Sequence, residues 1–252
     1  MPRLRPALLA ALAAPLALAL AACGSDEEGA VTGEPIAPIA APAGANWIET
    51  AAETPEGGFV TGNPDAPLKL VEYASHTCPA CAAFSTTGAA ALDEYVAKGV
   101  VSYEIRNQIH NPVDLTIAML ARCGAPTAFH PLANQVWANL PAVVNRAQQD
   151  QASLSTAMEA PDAQRFQRIA EAAGLLEFFA ARGVSRDQAL QCLADTGKAR
   201  QIAANSDTQS EEFNVTGTPT FFLNGRLVEG TTWGPGRDDP GIEAALQNAG
   251  AR

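Results

Sequence analysis

Two cysteines are separated by two residues in Cys78-Pro79-Ala80-Cys81, shortly after an apolar stretch that is typical of a β-strand. If a helix begins at this motif, its unpaired N–H groups and partial positive charge favour the thiolate of the first cysteine. A thiolate is a nucleophile, and a second thiol one turn further on can displace whatever sulfur the first one captures. The spacing therefore favours redox chemistry, with a structural disulfide or half of a zinc site as open alternatives.

Metal binding finds little support in the rest of the sequence. A zinc site of this kind needs a second C-x-x-C or a histidine pair at ligand spacing. The chain offers neither among its five cysteines and three histidines. We therefore expect no metal and no organic cofactor, and the redox group would be the Cys78–Cys81 pair itself.

The elements around the motif follow the pattern βαβ. The stretch from Leu68 to Ala74 is apolar on both faces, as in a central strand that is covered by helices. Apolar residues then recur at helical spacing until Lys98-Gly99, which is typical of a helix end. Alternation at Val101, Tyr103 and Ile105 predicts the second strand. The motif would then lie at the carboxyl end of the first strand.

A long Ala-rich helical stretch, residues 112–213, interrupts the strand pattern. Within it, Ser185 with Gln188 forms the pattern of a capping box, and Asp195 is placed to cap the next helix. Residues 220–229 then predict a hairpin with Asn-Gly at its turn, followed by a helix that begins at Pro240. The predicted fold class is α/β, βαβ…ββα with a large helical insertion. Its first half spans residues 46–111, the insertion 112–213 and the second half 214–252.

The N-terminus predicts export. Arg3 and Arg5 precede an Ala/Leu-rich run that is too short to span a bilayer comfortably and is interrupted by Pro15. Residues 1–22 are therefore interpreted as a signal peptide. Disulfides persist outside the cytosol, so export also allows stable cystine bridges.

The end of this signal, Leu20-Ala21-Ala22-Cys23, resembles the lipobox of bacterial lipoproteins. The resemblance implies lipidation of Cys23, and ordinary cleavage after Ala21 is the alternative. Residues 23–45 contain regularly spaced prolines and acidic residues with little to pack, which predicts a lipidated N-terminus and a disordered tether. The glycine after Cys23 leans towards the outer membrane, by resemblance to sorted lipoproteins. The protein would face the periplasm of a bacterial cell envelope.

The charge balance excludes one class of partner. The chain has 16 Lys and Arg against 27 Asp and Glu, a net charge of −11, and removal of the signal leaves 14 − 27 = −13. A chain this acidic is not expected to bind nucleic acid. With 47% hydrophobic residues, it can bury one sizeable core.

Two segments, residues 71–81 and 215–221, together with the βαβ…ββα order, resemble the thioredoxin fold in its DsbA-like form. The resemblance implies that Pro219 is cis beside the disulfide and that its loop offers backbone groups to an extended substrate. It also makes Cys78 the attacking thiol, Cys81 the buried resolving thiol and Glu72 a buried acid that moves protons. A trans Pro219 in an ordinary turn, and a Glu72 that points to solvent, remain the alternatives.

The motif departs from the strongest oxidants of that family at one residue. Their dipeptide has His after Pro, whereas this chain has Ala80. His76 is a candidate substitute for that imidazole, and a histidine with no role in the reaction is the alternative. Oxidase, reductase and isomerase therefore all remain open, because they share the scaffold and differ in redox potential. By the same resemblance, the residues expected to contact a substrate are Thr218, Pro219, Pro79, Ala80 and His76.

Cys123 and Cys192 remain after the motif and Cys23 are assigned. In an exported protein two such cysteines pair more often than not, and some DsbA-like proteins carry a second disulfide in the helical part. The sequence therefore predicts a structural disulfide Cys123–Cys192, with two buried free thiols as the alternative.

These observations together predict a lipid-anchored thiol-disulfide oxidoreductase, most simply a DsbA-like oxidase. Its expected partners are cysteine-containing exported polypeptides and, by resemblance, a quinone-linked membrane protein that reoxidises it. A monomer is expected, since residues 24–45 form no dimerisation domain. The rival hypotheses are a reductase or isomerase, a non-catalytic binding lipoprotein of the same fold, and a copper-handling protein.

Overall fold

A mixed six-stranded sheet carries the reactive segment in the computed structural model, which describes residues 33–236 and 239–252. The strands, in chain order, are β1 (Ala51–Glu53), β2 (Phe59–Gly62), β3 (Leu68–Ala74), β4 (Val101–Asn107), β5 (Thr220–Leu223) and β6 (Arg226–Val228). The helices, in chain order, are α1 (Pro79–Ala97), α2 (Pro112–Ala121), α3 (Pro126–Ala138), α4 (Leu140–Gln149), α5 (Gln151–Met158), α6 (Asp162–Ala172), α7 (Leu175–Ala180), α8 (Arg186–Leu193), α9 (Thr196–Phe213) and α10 (Ile242–Asn248).

The strand order across the sheet is β1-β2-β4-β3-β5-β6. Strands β3 and β4 run parallel, from the pair Leu68 with Val101 to the pair Ala74 with Asn107, and α1 connects them. The remaining pairs are antiparallel. Strand β3 lies inside the sheet and is largely buried, which explains why its sequence is apolar on both faces. The predicted βαβ unit and the closing hairpin and helix are confirmed.

Helix α1 begins where the sequence predicts. Pro79 occupies its first turn, where a missing N–H costs nothing and the fixed φ suits a helix. Lys98 caps the other end, and Gly99 follows with a φ of 71°, a conformation that glycine adopts without strain. Phe84 of α1 packs against Phe221 of β5 at 4.6 Å between ring centroids. The sheet therefore fixes both the position and the start of this helix.

The helical insertion comprises α2 to α9, between β4 and β5. Both predicted caps are present: Ser185 accepts a hydrogen bond from the Gln188 N–H, and Asp195 accepts one from the Lys198 N–H. A disulfide joins Cys123, just beyond the end of α2, to a cysteine in α8, Cys192, 69 residues later. The predicted α/β fold class with a large helical insertion is confirmed.

The structure corrects the predicted tether for residues 33–45. The Ile36 N–H donates to the Gly250 carbonyl at 2.9 Å, and the Ile39 N–H donates to the Lys98 carbonyl at 2.8 Å. Ile36 also packs against the core, and the Trp47 indole donates to the Ile39 carbonyl at 2.7 Å. A proline-rich chain forms no regular element of its own, but its free backbone groups here bond to the ends of α1 and α10.

Two smaller differences concern the ends of the fold. Strand β1 was not predicted, and the last helix begins at Ile242 after Gly241 rather than at Pro240. The predicted signal peptide, residues 1–22, and the predicted lipidation site Cys23 lie outside the described residues. Among residues 33–236 and 239–252, no helix combines the length and the apolar character needed to cross a membrane.

Candidate active site

The two cysteines of the motif occupy different environments at the start of α1. Cys78 is the N-cap residue, and its Sγ accepts a hydrogen bond from the Cys81 N–H at 3.3 Å. The structure records both as free thiols, with Cys78 7% exposed and Cys81 fully buried. Pro79 and Ala80 between them are exposed. An approaching polypeptide therefore meets Cys78 and the Pro-Ala pair, and it cannot reach Cys81 directly.

This placement separates the acidities of the two thiols. The pKa of Cys78 is lowered to about 5, chiefly by the hydrogen bond from the Cys81 side chain, against the opposing effect of partial burial. The Thr218 side chain and the N–H groups of Cys81 and Ala80 lower it further. Burial raises the pKa of Cys81 well above its ordinary value. At neutral pH, Cys78 is therefore a thiolate and Cys81 holds its proton.

The loop before β5 lies against Cys78. The Thr218–Pro219 peptide bond is cis, and the Cys78 thiol lies within hydrogen-bond distance of the Thr218 carbonyl, at 3.2 Å. Thr216 and Gly217 are exposed, Thr218 is half-buried and Pro219 is buried. The predicted substrate-contact residues Thr218, Pro219, Pro79 and Ala80 thus flank Cys78 from two segments far apart in sequence.

Glu72 of β3 is fully buried and does not face solvent. The Tyr103 hydroxyl of β4 donates a hydrogen bond to its Oε2, while Oε1 has no partner among the described residues. Burial raises the pKa of Glu72 to about 8, the Tyr103 hydrogen bond opposes that rise, and the charge of Cys78 adds to it. The charge of Glu72 in turn raises the pKa of Cys81. Glu72 and the two thiols therefore titrate as an interacting group.

His76 does not lie where a substrate could contact it, which corrects the prediction. Its side chain is fully buried, stacked on Trp137 at 5.7 Å between ring centroids. Nδ1 lies 3.2 Å from the Asn107 amide nitrogen, and Nε2 has no partner among the described residues. His76 is therefore part of the interior.

Sequence reasoning missed two buried polar residues at the site. Tyr103 was read only as one apolar position of a strand, and Asp114 was not singled out. The available signal for Asp114 was its position in the first turn of a helix after Asn111-Pro112, which predicts a cap and nothing more. In the part of the chain that the structure describes, no group of three or more His, Cys, Asp or Glu side chains could hold a metal ion.

The comparisons with known proteins agree with this fold. A family model described as thioredoxin matches residues 54–234. The chain therefore belongs to the thioredoxin family. Its fold is the DsbA-like form: it is similar to the crystal structure of Wolbachia pipientis alpha-DsbA1, with a TM-score of 0.51 and 22% identity over 65% of this chain and 73% of that one.

Two further relatives carry names that refer to disulfides. The crystal structure of a protein-disulfide isomerase from Novosphingobium aromaticivorans is 31% identical, with a TM-score of 0.65, and covers 70% of this chain and 91% of that one. A Rickettsia bellii protein with the provisional name protein-disulfide oxidoreductase is 28% identical over 69% of this chain. The chain spans between 54% and 60% of the length of the curated relatives that it matches.

Proposed function

We propose that this protein exchanges thiols and disulfides with cysteines of exported polypeptides, and that it acts as a DsbA-like oxidase. The observation that carries the proposal is the contrast at the start of α1. Cys78 is reachable and has a pKa lowered to about 5, whereas Cys81 is buried with a raised pKa. Disulfide exchange needs this asymmetry between a good leaving sulfur and a sheltered resolving one.

In the oxidised protein, a substrate thiolate attacks Cys78 Sγ, which breaks the Cys78–Cys81 bond and forms a mixed disulfide. Cys81 leaves with the electron pair and needs a proton, because its raised pKa disfavours the buried thiolate. Glu72, with a pKa of about 8, still holds a proton at neutral pH and supplies it. This is the proton-transfer role proposed for Glu72.

The second substrate thiolate then attacks the substrate sulfur of the mixed disulfide. Cys78 departs as a thiolate, which its lowered pKa makes a good leaving group. Two electrons pass from the substrate dithiol to the protein, so the substrate gains a disulfide and the Cys78–Cys81 pair becomes a dithiol. Thr218 and Pro219 offer their backbone, and Pro79 and Ala80 their exposed surface, to the substrate during both steps. No metal or organic cofactor takes part.

The lowered pKa of Cys78 supports the oxidase direction. A stabilised thiolate favours the reduced protein and therefore makes its disulfide a stronger oxidant. An isomerase is the second candidate, because the similar Novosphingobium structure carries that name. A reduction potential of about −120 mV would support the oxidase, whereas one of about −180 mV would support the isomerase.

The proposal includes the cellular setting that the sequence predicts. The protein would be exported and anchored by a lipid on Cys23, with its catalytic part in the periplasm. A quinone-linked membrane protein would reoxidise it. Incorporation of radiolabelled fatty acid into the wild-type chain but not into Cys23→Ser would support the anchor, and equal labelling would contradict it.

Two variants test the exchange reaction directly. Cys81→Ser keeps the attacking thiol and removes the resolving one, so it should accumulate mixed disulfides with exported proteins on non-reducing gels. Cys78→Ser should form none and should lose oxidation of a reduced polypeptide. If Cys78→Ser kept wild-type exchange activity, the motif would be structural and the proposal wrong.

A further inference from the structure

Asp114, in the first turn of α2, is a fully buried carboxylate at the boundary between the helical insertion and the active site. Its oxygens accept hydrogen bonds from Ser75 Oγ at 2.6 Å, the His76 N–H at 2.9 Å and the His110 N–H at 3.0 Å. A buried charge is costly unless donors surround it. Three donors from two separate segments satisfy this one, so the carboxylate ties those segments together.

The first of these segments is the turn that leads into the reactive cysteine. The Ser75 carbonyl accepts the Cys78 N–H at 3.2 Å and the Trp137 indole N–H at 3.0 Å. Ser75 Oγ, besides bonding to Asp114, accepts the Thr77 N–H at 3.1 Å. Ser75 therefore fixes the residue before Cys78 and Cys78 itself, and Asp114 fixes Ser75.

The second segment, His110-Asn111, contacts both sides of the site. His110 Nε2 lies 3.4 Å from Thr218 Oγ1, on the loop whose carbonyl faces Cys78. The Asn111 side chain donates to Thr77 Oγ1 at 3.0 Å. Since the His110 N–H is bound by Asp114, one carboxylate holds the turn of Cys78 and the neighbour of Thr218 at the same time.

We propose that Asp114 is a positioning residue that aligns Cys78 with Thr218, and that the helical insertion contributes to the reaction through it. Asp114 acts only through Ser75, His76 and His110. This role rests on the proposed thiol-disulfide exchange. Alignment keeps Cys78 within reach of the groups that stabilise its thiolate, and it keeps the backbone of Thr218 beside the sulfur that a substrate attacks.

The direction in which the Cys78 pKa shifts distinguishes a positioning role of Asp114 from a simple effect of its charge. Removing a nearby negative charge would, by itself, make the Cys78 thiolate easier to form and lower its pKa. Loss of alignment instead weakens the hydrogen bonds to the thiolate and raises the pKa. Positioning therefore predicts a rise when the Asp114 charge is removed.

The test uses the reduced full chain with Asp114→Asn, and it follows the Cys78 thiolate by ultraviolet absorbance and by the pH dependence of alkylation. We expect the Cys78 pKa to rise by about one pKa unit, together with a roughly tenfold lower kcat/KM for oxidation of a reduced polypeptide. Ser75→Ala removes one of the hydrogen bonds to Asp114, so it should also raise the Cys78 pKa and lower kcat/KM, each by a smaller amount. It also keeps the test informative if Asp114→Asn fails to fold.

The matched control is Glu104→Gln, which alters another buried acid, on β4, that bonds to neither segment. It should leave the Cys78 pKa and kcat/KM unchanged. An unchanged or lowered Cys78 pKa in folded Asp114→Asn, or no rise in Ser75→Ala, would overturn the positioning role. Failure of the proposed function is distinguishable, because wild-type protein would then not oxidise the polypeptide, whatever its Cys78 pKa.

Discussion

Two glutamates on adjacent central strands show how one residue type takes two roles. Glu72 of β3 pairs in register with Ile105, and Glu104 of β4 pairs with Val71, so their side chains point to opposite faces of the sheet. Glu104 accepts hydrogen bonds from Arg106 Nε at 2.9 Å, Arg106 Nη2 at 3.1 Å and Thr54 Oγ1 at 2.7 Å. Among the residues that the structure describes, Glu72 pairs with no cation, and its hydrogen-bond partner is the Tyr103 hydroxyl. A neutralised carboxylate stabilises the fold, whereas an unpaired one keeps its proton and can transfer it.

The largest expected effect is on the pH dependence of stability. Glu72 has a pKa of about 8 in the folded chain against an ordinary value of 4.5, so the folded state holds an extra proton between these values. Its stabilising contribution is complete below about pH 4.5 and is lost as the pH rises through about 8. Cys78, lowered from 9.0 to about 5, gives the opposite slope in the same window. The measurement therefore belongs in a Cys78→Ser background.

We expect urea unfolding to show that the free energy of unfolding of Cys78→Ser falls as the pH rises from about 5 to 8. The fall should be roughly 3 kcal/mol larger than that of Cys78→Ser/Glu72→Gln. The same comparison with Glu104→Gln in place of Glu72→Gln should show no such loss. If all three proteins had parallel pH profiles, the contrast between the two faces would be wrong.

The next effect concerns activity. Glu72→Gln keeps the side-chain size but cannot supply a proton to Cys81, so oxidation of a reduced polypeptide should fall about 100-fold, at the low end of general acid catalysis. Stopped-flow kinetics should place the loss in the step that releases Cys81, with normal alkylation of Cys78. Glu104→Gln is the control and should remain within about twofold of wild type, as expected for a group that touches no reacting atom. Equal losses of activity in Glu72→Gln and Glu104→Gln would show that the two glutamates do not differ in their role in the reaction.

The smallest effect is on the stability contributed by the ion-pair face. Glu104→Gln removes the closer of the two charged partners of the half-buried Arg106 and should lower the free energy of unfolding by about 2 kcal/mol at neutral pH. Chemical denaturation measures this loss, and Glu56→Gln, which removes the more exposed contact of Arg106 at 3.7 Å, should cost well under about 1 kcal/mol. Similar losses in the two variants would show that Glu104 is no more important than a surface charge.

Local sequence signals predicted the elements that position the site. Proline at the first turn of α1, the caps at Ser185 and Asp195, and the apolar strand before Cys78 each act within a few residues. These elements can be predicted because the interaction that stabilises each of them lies within the same few residues as its sequence pattern. The family resemblance added the loop around Pro219, which no local signal could have joined to Cys78.

Long-range contacts account for what the sequence did not reveal. Strand β1, with the sequence Ala-Ala-Glu, has low strand propensity and exists because it pairs with β2. Asp114 bonds to Ser75, which lies 39 residues before it, and Glu72 bonds to Tyr103, which lies 31 residues after it. Neither contact can be predicted from sequence spacing. His76 was predicted to contact a substrate, but Trp137 and Asn107 from distant elements enclose it.

Helix α2 is fastened at both of its ends. Asp114 binds its first turn to the turn before Cys78, and just past its last turn Cys123 is covalently joined to α8. A rod fixed at two points cannot slide along its axis or swing away like a lid without breaking one of those attachments. The turn before Cys78 and α8, which are far apart in sequence, are therefore connected through a single helix.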